Sequence, residues 1–210
     1  MNLVLFVFPL LLSGLLGSIP SAYLVGKCRG IDIRNYGSGN MGATNTMRVL
    51  GRRWGFFVLG ADVLKGFMAC WFVSFAWGNL GAAWGHWGAV LGGVIAFITH
   101  DWNPWFKFKP VGKGVSCALG SALFAVPIAM LIGLVSFLLT VFISRYISLA
   151  SLNAALTVLI LSFVFATPTP YRIFVVVAVC FIVLRHKENL KRLRAGTEPR
   201  LQWGKKEIDN

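Results

Sequence analysis

The chain alternates long apolar stretches with short polar ones, and this alternation is the first guide to its fold. A helix needs about 20 residues to cross the roughly 30 Å of hydrocarbon in a bilayer. Each apolar stretch is long enough to do so: Leu3–Val25, Trp54–Trp77, Gly81–Thr99, Val115–Ile143 and Ser151–Leu184. The pattern therefore predicts an all-α integral membrane protein.

The last two apolar stretches are longer than one span needs, and each contains a helix breaker. Pro127 interrupts the first of them, and Thr167–Pro170 interrupts the second. The residue before a proline is disfavoured in helical geometry. Division at both breaks predicts seven transmembrane helices, whereas leaving both stretches whole predicts five.

The distribution of charge favours seven spans. Of the 20 lysines and arginines, 18 then fall on one side of the membrane. Cytoplasmic loops carry such an excess, so the N-terminus is expected outside and the C-terminus in the cytoplasm. The five-span alternative would place Arg145 and Ser148 outside.

The composition excludes most soluble classes of protein. Hydrophobic residues make up 57% of the chain and charged residues only 13%, against about 25% charged in soluble domains. The net charge of +13 then indicates loops against an anionic membrane face rather than nucleic-acid binding. We expect one membrane domain over residues 1–194 and a polar cytoplasmic tail over residues 195–210.

The segment with the most informative polar residues is Asn35–Arg48, which contains three glycines among small hydroxyl and amide side chains. Glycines let backbone N–H groups approach a ligand, and consecutive N–H groups at a helix start bind anions. Thr44 and Asn45 could donate from the first turn, and Arg48 offers a planar fork for phosphate. The alternative interpretation is a flexible glycine-rich loop.

Three further segments carry phosphate-type donors. Lys113 lies between two glycines just before an apolar stretch, where it could bind an anion or be an ordinary interfacial lysine. Ser148 could donate from its hydroxyl or cap a helix. His186 and Asn189 are three residues apart and share a helix face, where they could orient a hydroxyl or phosphate or simply mark the membrane boundary.

Some ionisable residues lie inside or at the ends of the apolar stretches, where they could have a structural or a functional role. Asp62 and Lys65 could neutralise each other, or Asp62 could orient a basic site residue, as could His100–Asp101. The sequence contains no carboxylate cluster of the kind that binds Mg²⁺ or Zn²⁺ and no evident Ser-His-Asp set. We therefore predict a metal-free anion site at the cytoplasmic membrane face, with apolar walls for an acyl chain.

The order and spacing of these segments resemble a known family. Gly37–Asn45 followed by Arg48 resembles the GSGNxGATN signature of the bacterial acyl-phosphate:glycerol-3-phosphate acyltransferases, the PlsY family. Gly112–Val115, Ser148–Ser151 and His186–Asn189 resemble the remaining motifs of that family. Pro110 and Val111 stand where the family is expected to be glycine-rich.

The resemblance implies a seven-helix enzyme of the bacterial inner membrane, with its active site facing the cytoplasm. Such an enzyme moves a fatty acyl group from acyl phosphate to the 1-hydroxyl of sn-glycerol 3-phosphate. The products are lysophosphatidic acid and phosphate, in the first acylation of phospholipid synthesis. The resemblance further implies no metal or cofactor, no acyl-enzyme intermediate and a substrate phosphate oxygen as base, and we expect the enzyme to be a monomer. Its pathway neighbours would be the enzymes that form acyl phosphate and that perform the second acylation.

The resemblance also implies roles for particular residues. The acyl phosphate would be bound by the glycine-rich segment, namely Gly37, Ser38, Gly39, Asn40, Gly42, Ala43, Thr44 and Asn45. Glycerol 3-phosphate would be held by the catalytic set and one further glycine, namely Arg48, Lys113, Ser148, His186, Asn189 and Gly114. Two substrates of like charge repel each other strongly at low dielectric, so cations are required. A lipid-phosphate phosphatase and an anion transporter are the alternative functions.

Overall fold

The computed structural model describes residues 3–201, and these contain ten α-helices. The helices are α1 (Leu3–Ser18), α2 (Ser21–Cys28), α3 (Ala43–Leu50), α4 (Arg52–Gly78), α5 (Ala82–Asp101), α6 (Val115–Ala125), α7 (Pro127–Ser144), α8 (Ile147–Val164), α9 (Thr169–Arg185) and α10 (Lys187–Arg194). The described residues divide into an N-terminal unit of residues 3–124 and a C-terminal unit of residues 125–201.

Two short 3₁₀ turns and one small ladder complete the N-terminal unit. The turns are Ile33–Asn35 and Pro104–Phe106. The strands β1 (Trp102–Asn103) and β2 (Lys109–Pro110) pair antiparallel, with Trp102 opposite Pro110. The ladder closes the connection between α5 and α6 and so determines where that connection turns.

The first apolar stretch is broken into α1 and α2, which meet at an angle of 42°. The break exposes the carbonyl of Ile19, which accepts a hydrogen bond from Lys65 Nζ at 2.8 Å. Lys65 also pairs with Asp62 at 2.8 Å, and Ser21 donates to the same carboxylate at 2.9 Å. The buried ion pair therefore neutralises itself and satisfies the backbone of a broken helix.

Small residues set the distances between helices in the N-terminal unit. A Cβ at Gly92 of α5 would clash with the Ala69 carbonyl oxygen of α4, and one at Gly120 of α6 would clash with that of Val63. Ser121 of α6 also donates to the Gly66 carbonyl at 3.2 Å. Such close approach of backbones is how helices associate where lipid removes the hydrophobic driving force.

The C-terminal unit is held by a polar contact between two apolar helices. Asn153 of α8 donates to Ser136 and Thr140 of α7 at 2.8 and 2.9 Å. Thr157, one turn further along α8, donates to the same Ser136 hydroxyl at 3.1 Å. Because apolar side chains gain little by leaving lipid, such hydrogen bonds help to set the register of α7 against α8.

The predicted helix breaks are confirmed. α7 begins at Pro127, α8 ends at Val164 and α9 begins at Thr169. Within residues 3–201, four helices are long and apolar enough to span a bilayer (α4, α5, α7 and α8), or five if α1 and α2 form one bent span. The fold is therefore that of an all-α membrane protein, and the count of seven spans stays a prediction.

Candidate anion-binding site

The glycine-rich segment lies on a small hydrophobic core of the N-terminal unit. Ile33, Met41 and Val49 are buried beneath it, at 0 to 4% exposure. The turn that leads into it is closed by Asp32, whose carboxylate accepts from the Arg34 backbone N–H at 3.1 Å and pairs with the Arg34 guanidinium at 2.6 Å. The hydrogen bond from Arg34 lowers the pKa of Asp32 to about 2. The entry to the loop is therefore defined by local bonds.

Asn45 organises this loop from inside. Its Oδ1 accepts the Ser38 backbone N–H at 2.9 Å, and its Nδ2 donates to the Tyr36 carbonyl at 3.1 Å. The side chain is 1% exposed. Gly37 has a φ of +58°, and a Cβ there would clash with Asn45 Oδ1. The Asn45 side chain thus shapes the loop, and only glycine allows its close approach.

Helix α3 begins directly after this loop. Its N-cap residue is Gly42, which has no side chain to cap the first turn. The N–H groups of the first turn, at Ala43, Thr44 and Asn45, therefore find no carbonyl within the helix and carry the positive end of its dipole. Arg48 follows Thr44 by four residues and so lies on the same face. This arrangement suits an anion.

The second predicted segment lies against the first. The Met41 backbone N–H donates to the Val111 carbonyl at 2.8 Å, and the Val111 N–H donates to the Asp101 carbonyl at 2.9 Å. Lys113 follows Val111 by two residues and is half-buried. The residue that departs from the family's expected glycine pattern thus links the two loops through its backbone.

The two positions on either side of Lys113 require glycine for different reasons. A Cβ at Gly112 would lie 3.1 Å from Asp101 Oδ1 and 3.3 Å from His100 Nε2, so the loop rests on these two buried side chains. Gly114 has a φ of +68°, which other residues rarely adopt. The structure therefore brings Lys113 to the entrance of α6 beside the glycine-rich loop.

Ser148 and Asn189 share one acceptor in the C-terminal unit. Ser148 Oγ and Asn189 Nδ2 each donate to Glu198 Oε1 at 2.6 Å. Arg192 Nε donates to the other oxygen, Oε2, at 2.7 Å. Helix α8 begins at Ile147 with Tyr146 as its N-cap, so the interpretation of Ser148 as a cap is wrong.

His186 lies in the same unit, between α9 and α10. It is 2% exposed, and its Nδ1 lies 2.8 Å from the Ile182 carbonyl oxygen. A ring nitrogen that faces a carbonyl carries the proton, which leaves Nε2 as an acceptor in the neutral form. The Ile182 carbonyl of α9 therefore helps to orient the ring.

Sequence reasoning missed Glu198, which lies in the predicted tail. Burial by itself would raise the pKa of this carboxyl, but the hydrogen bonds from Ser148, Asn189 and Arg192 outweigh burial and hold the pKa below its ordinary range. No signal in the sequence singled it out, because the predicted tail contains two further acids, Glu207 and Asp209. Residues 202–210 of the predicted tail lie outside the described residues.

Metal-binding groups are sparse. No cluster of three or more His, Cys, Asp or Glu side chains with metal-binding geometry occurs among residues 3–201. The donors at both sets of residues are instead backbone N–H groups, amides, a hydroxyl and cations. The fold and these residues together define an all-α membrane protein whose glycine-rich loop presents backbone N–H groups and cations.

Comparison with known proteins identifies the family. The sequence profile of the glycerol-3-phosphate acyltransferases matches residues 7–196. A glycerol-3-phosphate acyltransferase of Symbiobacterium thermophilum is 41% identical over 191 residues, covering 91% of this chain and 92% of the relative. One of Fusobacterium nucleatum is 38% identical over 200 residues, covering 92% and 97%. The chain belongs to the glycerol-3-phosphate acyltransferase family.

Solved structures agree with this assignment. The chain is similar to crystal structures of PlsY (YgiH), an integral membrane glycerol 3-phosphate acyltransferase. The glycerol 3-phosphate form matches with a TM-score of 0.84 at 34% identity, and the lysophosphatidic acid form with 0.83 at 33%. Both matches cover 93% of this chain and 95% of the solved one.

Proposed function

We propose that this protein transfers a fatty acyl group from acyl phosphate to the 1-hydroxyl of sn-glycerol 3-phosphate, giving lysophosphatidic acid and phosphate. The observation that carries the proposal is the family match over residues 7–196. The acceptor is supported by the similarity to a PlsY structure in its glycerol 3-phosphate form. The reaction would be the first acylation of phospholipid synthesis.

Acyl phosphate is proposed as donor because the motifs resemble those of the PlsY family, and the chemistry agrees. Acyl phosphate is a mixed anhydride with a good leaving group, so it needs positioning and charge stabilisation more than a protein nucleophile. Acyl-CoA enzymes of the His-x4-Asp class need an aspartate five residues after a histidine. Here the three histidines are followed at that distance by Leu91, Trp105 and Lys191.

The glycine-rich loop is assigned to the phosphate of the donor. The first-turn N–H groups of α3 supply directed donors, and the Asn45 side chain shapes the loop through its bond to the Ser38 N–H. Lys113 and Arg48 supply full positive charges, which an acyl phosphate needs because its leaving group gains charge as the acyl bond breaks. A phosphate oxygen of a substrate is proposed as the base, and no metal or other cofactor is required.

Ser148, His186 and Asn189 are assigned to glycerol 3-phosphate, together with Arg48, Lys113 and Gly114. The support is that each of the first three is buried at 5% exposure or less although polar. Each of them also lies in one of the segments that resemble the family's motifs.

The proposed topology has seven spans, with the N-terminus outside, the C-terminus in the cytoplasm and the active site at the cytoplasmic face of a bacterial inner membrane. Leu149→Cys, at a position 38% exposed, tests it in a background whose four cysteines have been replaced. An impermeant thiol reagent added to intact cells should leave this variant unlabelled and should label Arg172→Cys. External labelling of Leu149→Cys would support five spans.

The decisive experiment is a reconstituted assay of the purified protein. We expect lysophosphatidic acid from acyl phosphate plus glycerol 3-phosphate, none from acyl-CoA, and no effect of a chelator. Phosphate release in the absence of glycerol 3-phosphate would indicate a phosphatase instead. Uptake of labelled glycerol 3-phosphate into vesicles without acylation would indicate a transporter.

The proposed partners follow from the reaction. The protein would act as a monomer in contact with membrane lipid. An enzyme that forms acyl phosphate would supply its donor, and an enzyme of the second acylation would consume its product.

A further inference from the structure

Glu198 is a buried carboxylate that nothing in the proposed reaction uses. It is 9% exposed, and both oxygens accept hydrogen bonds. Oε1 lies 2.6 Å from Ser148 Oγ and 2.6 Å from Asn189 Nδ2, and Oε2 lies 2.7 Å from Arg192 Nε. Two of these three donors are residues assigned to glycerol 3-phosphate, so the chain's own acid holds part of the proposed acceptor site.

The segment that carries Glu198 is folded back onto α8 and α10. The Thr197 N–H donates to the Arg192 carbonyl at 2.9 Å, and the Leu201 N–H donates to the Arg145 carbonyl at 2.7 Å. Arg200 Nε donates to the Tyr146 hydroxyl at 3.1 Å and lies over its ring. Contacts on both sides of Glu198 thus keep its carboxylate at Ser148.

The hydrogen bond to Glu198 limits how the Ser148 hydroxyl can bind a ligand. A serine hydroxyl has one proton and two lone pairs, and a carboxylate only accepts. The bond to Glu198 uses the proton, so Ser148 Oγ can meet a ligand only as an acceptor. An acceptor oxygen suits a hydroxyl group and repels a phosphate oxygen.

The carboxylate is also unable to turn away. Arg192 holds Oε2 by a charge-assisted bond, so that Oε1 stays towards Ser148 and Asn189. The ion pair removes most of the positive charge of Arg192 from this cluster. The cluster as a whole is therefore suited to a neutral hydroxyl group.

We propose that Glu198 is a positioning residue that fixes Ser148 and Asn189, so that Ser148 Oγ accepts a hydrogen bond from a glycerol hydroxyl of the acceptor substrate. The phosphate of that substrate is then left to the cationic residues. This inference rests on the proposed function and adds to it both a residue and a direction for one hydrogen bond.

The test compares Glu198→Gln with Glu188→Gln in the reconstituted assay. Glu188 is a matched control because it lies on α10, is exposed and pairs only with Lys191 among the described contacts, at 3.1 Å. A glutamine at 198 keeps the size of the side chain but brings an amide N–H against a donor, either Arg192 Nε or Ser148 and Asn189. We expect the KM for glycerol 3-phosphate to rise about tenfold, the cost of about one good hydrogen bond, and the KM for acyl phosphate to stay within about twofold. Glu188→Gln should change neither constant.

A rescue variant separates positioning from mere folding. In Arg192→Gln combined with Glu198→Gln, the two amides can pair, which returns an acceptor oxygen to Ser148 and Asn189. We expect most of the lost affinity for glycerol 3-phosphate to return. If Glu198→Gln does not fold, Ser148→Ala carries the test, because it keeps the bonds of Glu198 to Asn189 and Arg192. It should show the same selective rise in the KM for glycerol 3-phosphate.

Three results would overturn the inference. They are an unchanged KM for glycerol 3-phosphate, an equal rise for both substrates, and a fall that would mark Glu198 as an internal competitor of the substrate. A wild-type protein that forms no lysophosphatidic acid would overturn the proposed function and this inference with it. An active wild type with any of the three results would overturn the inference alone.

Discussion

The glycine-rich loop and the Ser148–Asn189 cluster are built in the same way but differ in their electrostatics. In each, one buried side chain gathers several hydrogen bonds. Asn45 does so in the loop, and Glu198 does so in the cluster. Asn45 is neutral and leaves the positive field of the α3 N-terminus intact. Glu198 is an anion that offsets Arg192. The loop therefore suits a phosphate, whereas the cluster suits a hydroxyl.

The largest effect is expected at Lys113, which lies beside the loop and supplies full charge. Lys113→Ala should lower kcat by about 10²–10³-fold, the usual range for loss of one group that stabilises developing charge. Lys109→Ala, at an exposed lysine of the same connection, should retain activity. The measurement is the initial rate of lysophosphatidic acid formation at saturating substrates. Substantial remaining activity of a folded Lys113→Ala protein would remove this lysine from the site.

A negative charge inside the loop tests directly whether the loop needs a neutral side chain at position 45. Asn45→Asp keeps an acceptor for Ser38 but turns the neutral organiser into an anion that also faces the Tyr36 carbonyl. We expect the KM for acyl phosphate to rise about 10–100-fold through charge repulsion and the lost donor. Asn35→Asp, an equal change of charge on the exposed turn before the loop, is the control. Equal values for the two variants would show that the charge at position 45 has no specific role.

Disruption of the close contact between Gly37 and Asn45 should have a smaller effect. Gly37→Ala adds both a strained φ and a clash with Asn45 Oδ1, whereas Gly30→Ala adds only the strained φ, because nothing lies within 4 Å of its Cβ. The shared strain costs about 1–2 kcal/mol in each. We expect an additional rise of about tenfold in the KM for acyl phosphate for Gly37→Ala alone, from loss of about one hydrogen bond. Matching kinetics in the two variants would contradict the role of Asn45 as organiser.

The smallest effect concerns pH. The pKa of Glu198 is lower in the folded protein than its ordinary value near 4.5, so the carboxylate stabilises the fold above that value. This contribution is lost as pH falls below 4.5 and passes through the folded pKa. Wild type should therefore melt about 2 °C above Glu198→Gln at neutral pH, and the difference should shrink on acidification. A thermal melt series in detergent measures it, and a difference that grows at low pH would contradict this sign.

Local chemistry explains why much of the loop could be predicted. The glycines, the α3 start and Arg48 lie within 12 residues, so their arrangement depends on backbone preferences that can be recognised in a short segment. The breaks at Pro127 and Thr167–Pro170 follow equally from local sterics. Even so, the buried role of the Asn45 side chain was not predicted, because it depends on where the Tyr36 carbonyl points.

Contacts between distant segments explain what could not be predicted. Lys65 donates a hydrogen bond to the Ile19 carbonyl, 46 residues away along the chain. Ser148 donates one to Glu198, which is 50 residues away. Spacing along the chain carries no signal for such pairs, because any of several polar groups could have been brought to each. The interpretation of Ser148 as a helix cap was wrong for the same reason: its partner is tertiary.

By itself, the sequence determined the all-α membrane class, the helix breaks at Pro127 and Thr167–Pro170, and the segments that carry phosphate-type donors. Each of these depends on hydrophobic period, proline sterics or glycine freedom, which act over a few residues. Only the tertiary structure decided that Asn45 shapes its loop, that Val111 links the loop to Lys113 through its backbone, and that Glu198 takes the proton of Ser148. A hydrogen bond needs its two atoms within about 3 Å, and for residues far apart along the chain only the packed helices set that distance.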